Sequence, residues 1–317
     1  MRSLRTAVIG AGRWGQNIIQ TLRTMPEAEL LYIENKDHRK LLAKKDIDAV
    51  IIATPGSTHA RVALPFIARG LPVFIEKPMT TALADAKRLA AAARKSGSLV
   101  FIGHLHIYNP AYQKAKALTQ TSGRIRFLYG EGCNNGPYRE DMSALWDWAP
   151  HDLSMMLDLV GENPLSVQAW AISSLRPNTK LYDSTWIKLI FPGGTEGLVF
   201  SSWLSPEKKK RLTIIGEKNS LVFDDTAEQK VIFYENMGPT LKKIEDQTTV
   251  LFQSPKITYP EYAKDRPLLL ELRAFFQNII SKKRPLTGLA EGIAVVAVLA
   301  AAEKSIAQHG QLVEFSP

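Results

Sequence analysis

The sequence predicts an α/β first half, a parallel sheet with helices on both faces, followed by an α+β second half with a large, open, mainly antiparallel sheet. Three observations carry this. An apolar strand runs into a glycine-rich turn close to the start of the chain. Continuous apolar runs then alternate with helical patterns to about residue 105, as strands buried on both faces do. Beyond that point strand-like runs succeed one another, separated by turn residues, and two helical patterns close the chain.

Taken in order, residues 4–9 read as a strand that ends in Gly10-Ala11-Gly12-Arg13-Trp14-Gly15. The helix that follows carries Ile18, Ile19 and Leu22 on one side. Leu30 to Ile33 is a second strand, and residues 46–70 read as strand, turn and helix, with Gly70 just past the helix end. "LPVFIEKP" is a strand, "TTALADAKRLAAAARKSG" an alanine-rich helix stopped by Gly97, and "SLVFIGHLH" another strand. In the second half a helix over "NPAYQKAKALTQ" precedes "RIRFLYGEGC" and the segment "WDWAPHDLSMMLDLVG". Pro150 fits a first helical turn and not a deeper one, so that helix is expected to start near 148–150. Five strand-like runs and the helices "LLLELRAFFQNIISK" and "GIAVVAVLAAAEKSIAQHG" complete the chain. The expected domains are 1–104 and 105–317, in keeping with a length of 317 residues.

Composition narrows the function. The longest apolar run, Gly292 to Ala302, is shorter than the ~20 residues a membrane span needs. The start of the chain leaves no room for a secretory leader, and the single Cys133 cannot form an internal disulfide, so a cytoplasmic protein is expected. The net charge of +9 is scattered apart from "KKKR" at 208–211 and "KKR" at 282–284, with no zinc-finger or aromatic-basic motif. That disfavours nucleic acid and suits a phosphate-bearing small substrate. No histidine or cysteine cluster has metal-ligand spacing, so no metal is expected.

Gly10-x-Gly12-x-x-Gly15, after a strand and opening a helix, fits the dinucleotide fingerprint of a Rossmann domain. The helix start offers free N–H groups to phosphates, and Arg13 and Trp14 stand in that turn. An acid about twenty residues on would bind the ribose hydroxyls of NAD, which points to Glu34. A register shift of one would put Asn35 there instead, and Lys36 would then accommodate a 2′-phosphate, which leaves NADP open beside NAD. Thr54, Pro55 and His59 follow the next strand and are expected on the nicotinamide side.

These residues, with "DIDAVIIATPGSTHARVALPFIARGLPVFIEKP", "FIGHLHIYNPAY" and "GCNNGPYREDMSALWDWAPHDLSMMLDLVG", resemble the glucose–fructose oxidoreductase / inositol dehydrogenase (Gfo/Idh/MocA) family over nearly the whole chain. The resemblance implies that Lys77 contacts substrate and nicotinamide, that Glu76 lies beside the cofactor and that the peptide before Pro78 is often cis. It also implies a homodimer or homotetramer formed through the second-half sheet. One departure stands out: between Leu31 and Ile47 the chain is too short for the usual helix and third strand, which shortens the adenine side. The segment "NNGPYREDMSALWDWAPHD" is similar to the branch that oxidises the 3-hydroxyl of a UDP-N-acetylhexosamine, ahead of transamination, in lipid A or lipopolysaccharide synthesis.

Such an oxidation needs a base near neutral pH, and His151 suits it, with Asp147 to fix its tautomer and Lys77 to hold the substrate oxygen. Asn134, Arg139, Asp141, Tyr108 and Asn109 are candidate substrate contacts, Arg139 because a guanidinium grips phosphate with two bonds. Two alternatives stay open: a dehydrogenase of a free sugar or polyol, and a cofactor-binding sensor that does not turn over.

Overall fold

The computed structural model describes residues 3–177, 179–238, 240–244, 247–251 and 254–317. Strands and helices follow in chain order as β1 (Leu4–Ile9), α1 (Arg13–Leu22), β2 (Ala28–Glu34), β3 (Ala49–Ile52), α2 (His59–Ala68), β4 (Val73–Glu76), α3 (Leu83–Ser96) and β5 (Val100–Gly103). Then come α4 (Pro110–Thr119), β6 (Ile125–Asn135), α5 (Ala144–Val160), β7 (Ser166–Ile172), β8 (Ser184–Ile190), β9 (Glu196–Ser202) and β10 (Leu204–Gly216). The chain ends with β11 (Ser220–Asp224), β12 (Val231–Glu235), β13 (Thr240–Ile244), β14 (Gln247–Leu251), β15 (Lys256–Thr258), α6 (Pro267–Ser281), α7 (Leu289–Ala307) and β16 (Val313–Glu314).

Two compact units result. The first holds residues up to Tyr108 together with Asp265–Ala300 and Ser316–Pro317; the second holds Asn109–Lys264 and Ala301–Phe315. The first therefore takes in a stretch, 265–300, that sequence order alone groups with the second domain. The reason is α6, whose buried stripe of Leu268, Leu272, Phe275 and Phe276 completes one core with Val8, Ile18, Ile51, Phe74 and Phe101. Phe275 meets Phe74 and Phe101 edge-on, at ring separations of 5.7 and 5.6 Å.

The first unit's sheet has five parallel strands in the order β2-β1-β3-β4-β5. Its central strands read Ala-Val-Ile-Ile and Val-Phe-Ile-Glu and are buried at every residue, which is why they lack the alternation of a half-exposed strand. Between β2 and β3, where the sequence is short, one 3₁₀ segment (His38–Ala43) replaces a crossover helix and a further strand. Gly97 ends α3 in the left-handed region, at φ 72°.

The second unit is built on nine strands in the order β15-β12-β11-β10-β6-β9-β8-β7-β16. All neighbours run antiparallel except β6 and β9. One face alternates inward with Val167, Ala169, Ile187, Leu189, Val199, Leu212 and Ile214; the other leaves Trp170 and Trp186 exposed. Helix α5 begins at Ala144, earlier than Pro150 suggested, and carries that proline inside it. Pro150 forfeits one helical hydrogen bond, while the turns before it bury Ala144, Leu145 and Trp146. Burial of that first turn outweighs the lost bond.

Candidate functional site

In the first unit the site starts with β1 and its turn. Gly10 has φ 98°, and a Cβ there would lie 2.6 Å from the Ala53 carbonyl carbon and oxygen. A Cβ on Gly15 would stand 1.9 Å from the Gly10 carbonyl oxygen, so only hydrogen lets α1 pack this close to β1. At Gly12 a Cβ would meet nothing within 4 Å, so that side of the turn is open. No side chain caps α1 and no acid stands in its first turn. Its N–H groups and positive dipole end are available to an anion. The cradle fits the pyrophosphate of a dinucleotide, with Gly10, Gly12, Arg13, Trp14 and Gly15 forming it.

Trp14 does more than cover that turn. Its indole Nε1–H donates to Glu76 Oε1 at 2.6 Å, tying the first turn of α1 to the end of β4. Glu76 is buried, and the Lys77 N–H donates to its Oε2 at 3.2 Å. Burial pushes its carboxyl up to about 7, against the pull of the Trp14 hydrogen bond and the Lys77 charge. The Lys77–Pro78 peptide is cis. So β4 delivers an acid that the cofactor turn holds, and then a half-buried lysine.

Two polar groups around this strand end were not singled out from sequence. His104 follows β5, is 1% exposed, and neither of its ring nitrogens has a hydrogen-bond partner among the described residues. Burial and then the Lys77 charge lower it to about 3, so it is a neutral imidazole. Glu271 of α6 is fully buried, and burial followed by the Glu76 charge raises its carboxyl well above the ordinary range. A sequence signal existed for it: the acid sits three residues after Leu268 and four before Phe275, on the apolar stripe of its helix.

Several expected cofactor contacts have other work. Glu34 ends β2, but its Oε1 accepts from the N–H groups of Asn35, Lys36 and Asp37 at 2.9, 2.8 and 3.1 Å. Those bonds hold its carboxylate below the usual range. Glu34 thus caps its own turn through Oε1. Asn35 Oδ1 accepts from the Ala11 N–H at 2.5 Å and fixes the glycine turn against β2. His59 is buried with Nδ1 2.8 Å from the Pro78 carbonyl oxygen and Nε2 2.8 Å from that of Thr54. It links two strand ends. Thr54 and Pro55 line a cavity of about 360 Å³ together with Thr58, Arg61 and residues 35–39 from the side of β2. Tyr108 stacks on Phe101 at 5.4 Å and its hydroxyl lies 3.0 Å from Thr287 Oγ1.

In the second unit Asp147 and His151 stand one helical turn apart on α5, hence on one face. Asp147 Oδ2 accepts from Trp203 Nε1 at 3.2 Å, and its Oδ1 lies 3.5 Å from Arg139 Nη1. Arg139 is paired within its own loop: Nε and Nη2 donate to the two oxygens of Asp141 at 2.9 and 2.7 Å. That pairing raises the guanidinium and lowers Asp141. The loop before α5 is thereby tied to Asp147, with Tyr138 packed edge-on to Trp203 at 5.0 Å. Asn109 is a helix cap: Oδ1 accepts from the Ala111 N–H at 3.0 Å and Nδ2 donates to Asp225 at 2.9 Å. Asn134 lies near the end of β6, half-buried, where the pairing with β10 is interrupted. Asp152, beside His151, is buried against Gly130 and Gly132, and burial raises its carboxyl to about 8. Among the described residues no group of histidine, cysteine and acids could hold a metal ion, and no helix is long and apolar enough to cross a membrane.

A dinucleotide cradle on a parallel sheet, joined in one chain to a nine-stranded sheet that carries an Asp–His helix, defines a two-unit oxidoreductase. The chain belongs to the Gfo/Idh/MocA family: residues 32–104 match the oxidoreductase family with an NAD-binding Rossmann fold, and 112–222 match the GFO/IDH/MocA C-terminal domain. It is 27% identical to a UDP-N-acetylglucosamine 3-dehydrogenase of Acidithiobacillus ferrooxidans over 95% of this chain and 96% of that protein. It is 26% identical to a scyllo-inositol 2-dehydrogenase (NAD(+)) of Bacillus subtilis over 78% of this chain and 81% of that one. The crystal structure of a putative oxidoreductase from Magnetospirillum magnetotacticum MS-1 superposes with a TM-score of 0.82 at 31% identity, covering 95% of this chain and all of that one.

Proposed function

We propose that the chain is a nicotinamide-dependent dehydrogenase of a sugar secondary alcohol, and that its substrate is a UDP-N-acetylhexosamine oxidised at the 3-hydroxyl. The observation that carries the substrate is the extent of likeness: similarity to the UDP-N-acetylglucosamine 3-dehydrogenase runs through 95% of the chain, that to the inositol enzyme through 78%. His151 takes the hydroxyl proton as general base. Asp147, held by Trp203 and Arg139, positions His151 from one turn earlier on α5. Lys77 holds the substrate oxygen and stabilises alkoxide charge as the proton leaves. The nicotinamide, when bound, supplies the hydride acceptor. The buried, neutral imidazole of His104 adds no charge beside Lys77.

The test is to mix the purified chain with the cofactor and a panel of UDP-sugars, free sugars and inositols while following nicotinamide absorbance. Reduction with UDP-N-acetylglucosamine is expected. His151→Asn should cut it by roughly 10²–10⁴ while cofactor binding is unchanged. Turnover of inositol alone would replace the nucleotide sugar with a free polyol, and tight cofactor binding with no turnover would identify a sensor. The exposed sheet face around Trp170 and Trp186 supports the further reading that a second copy of the chain packs there; light scattering of a monomer at micromolar concentration would refute it.

A further inference from the structure

Two buried acids meet at the carboxyl end of the first unit's sheet. Phe275 of α6 packs edge-on against Phe74 of β4 and Phe101 of β5, at 5.7 and 5.6 Å. Two residues further along the same face of those strands stand Glu76 and Gly103, which are paired in register. One turn back along α6 stands Glu271, and the charge of Glu76 acts on it. The heights agree, since four helical residues and two strand residues each rise roughly 6 Å. At Gly103 a Cβ would lie 3.1 Å from Glu76 Cδ and Oε2, so the missing side chain gives the Glu76 carboxyl its room.

The two carboxyls are served differently. Glu76 has a donor on each oxygen: Trp14 Nε1–H at 2.6 Å on Oε1, and the Lys77 N–H at 3.2 Å on Oε2. Glu271 is 0% exposed, and neither of its oxygens meets a donor among the described residues. Tyr108, whose titration feels Glu271, has its hydroxyl against Thr287, and the Thr287 hydroxyl donates to the Ile102 carbonyl oxygen. His104, the other polar group at this end, is a neutral imidazole. Two carboxylates in one buried layer do not both ionise, and the one without donors is the costlier anion. Burial brings Glu76 up to about 7, with Trp14 and the Lys77 charge opposing, so it is the member that titrates near neutral pH.

We propose that Glu76 and Glu271 form an acid pair that answers the redox state of the nicotinamide. Glu271 keeps its proton throughout, while Glu76 is a carboxylate beside the oxidised ring and takes up a proton beside the reduced one. The inference rests on the dehydrogenase reading, in which Lys77 holds the alcohol oxygen, so that the ring accepting hydride from that carbon stands by the end of β4. Oxidation passes the hydride, with its electron pair, from carbon to ring, and the O–H proton goes to His151. The alcohol is oxidised, the nicotinamide is reduced, and the positive charge of the ring is lost. Glu76 then has one cation fewer beside it and binds a proton from water more tightly; no bond of substrate or cofactor changes in that step.

Calorimetry on the full chain with NAD+ and NADH at pH 6, 7 and 8 tests this without any turnover. Between the pH where Glu76 ionises beside the oxidised ring and the higher pH where it ionises beside the reduced one, NADH binding carries an extra proton. In that window the ratio of Kd for NADH to Kd for NAD+ should rise by up to about ten-fold per pH unit. In two buffers of different ionisation heat at pH 7, more proton should be taken up with NADH than with NAD+. Glu76→Gln should flatten the ratio and equalise the proton counts. Trp14→Phe removes a donor to the Glu76 carboxylate and should move the window to higher pH, whether or not Glu76→Gln folds. Glu271→Gln keeps a neutral group in the same space and should leave the window in place; a window moved to lower pH would show that Glu271 carries charge and overturn the assignment. A pH-independent ratio with both dinucleotides bound would overturn the proposal and leave the dehydrogenase reading standing. Failure of both to bind would remove the two together.

Discussion

Replacing Asp152 by asparagine should make the protein more stable, and increasingly so as the pH rises. Asp152 is 2% exposed and packs against the backbone of Gly130 and Gly132 in β6. Burial, then Glu131, raise its carboxyl from 3.8 to about 8, with Lys210 opposing. Between pH 4 and 8 the folded chain therefore keeps a proton at Asp152 that the unfolded chain has released. Unfolding sheds that proton, so rising pH favours the unfolded state, by ~1.4 kcal/mol for each pH unit in the window. The stability is complete below pH 4 and has fallen by about 4 kcal/mol at pH 7, a loss the neutral amide does not suffer. For a unit of this size that corresponds to roughly 8–16 °C in Tm. The assay is thermal unfolding of wild type and Asp152→Asn at pH 5, 6, 7 and 8. The gap between the curves should be small at pH 5 and widen steadily. A gap that does not change with pH, or a variant that is less stable at pH 8, would refute the assignment of a buried, proton-holding carboxyl.

Other perturbations follow from the same geometry. Gly15→Ala places a methyl group 1.9 Å from the Gly10 carbonyl oxygen, so dinucleotide binding, read by fluorescence titration, should be lost. Trp14→Phe removes the donor that holds Glu76 down, so the Glu76 carboxyl should titrate above about 7 in carbon-detected NMR. An unmoved titration would show that the 2.6 Å bond contributes nothing. Phe275→Ala opens the core between Phe74 and Phe101 and should cost ~3–5 kcal/mol in guanidinium unfolding.

The parts of this fold that could be read from sequence are those fixed by local periodicity. The glycine turn, the buried strands "AVII" and "VFIE" and the αL stop at Gly97 each follow from residues a few positions apart. What escaped depends on who sits across from whom. That Arg139 is paired with Asp141 and lies beside Asp147 cannot be read from the order of the residues. Nor does the sequence show that three N–H groups of its own turn reach Glu34 Oε1. The stripe of α6 announces a buried face but not which sheet buries it. The proline rule puts the start of α5 too late because it weighs one lost hydrogen bond and cannot weigh the burial of Leu145 and Trp146.

The dependence of the first core on α6 has a consequence for biogenesis. When the ribosome finishes β5 at Gly103, the parallel sheet is complete in sequence, but Phe275 and Phe276, which close one side of it, are about 170 residues away. At typical elongation speeds that leaves the sheet with an oily flank for roughly ten to thirty seconds. Phe74 and Phe101 are then open to chaperones and to other nascent chains, so slowing synthesis downstream of Gly103 should lower the yield of folded protein more than slowing it upstream.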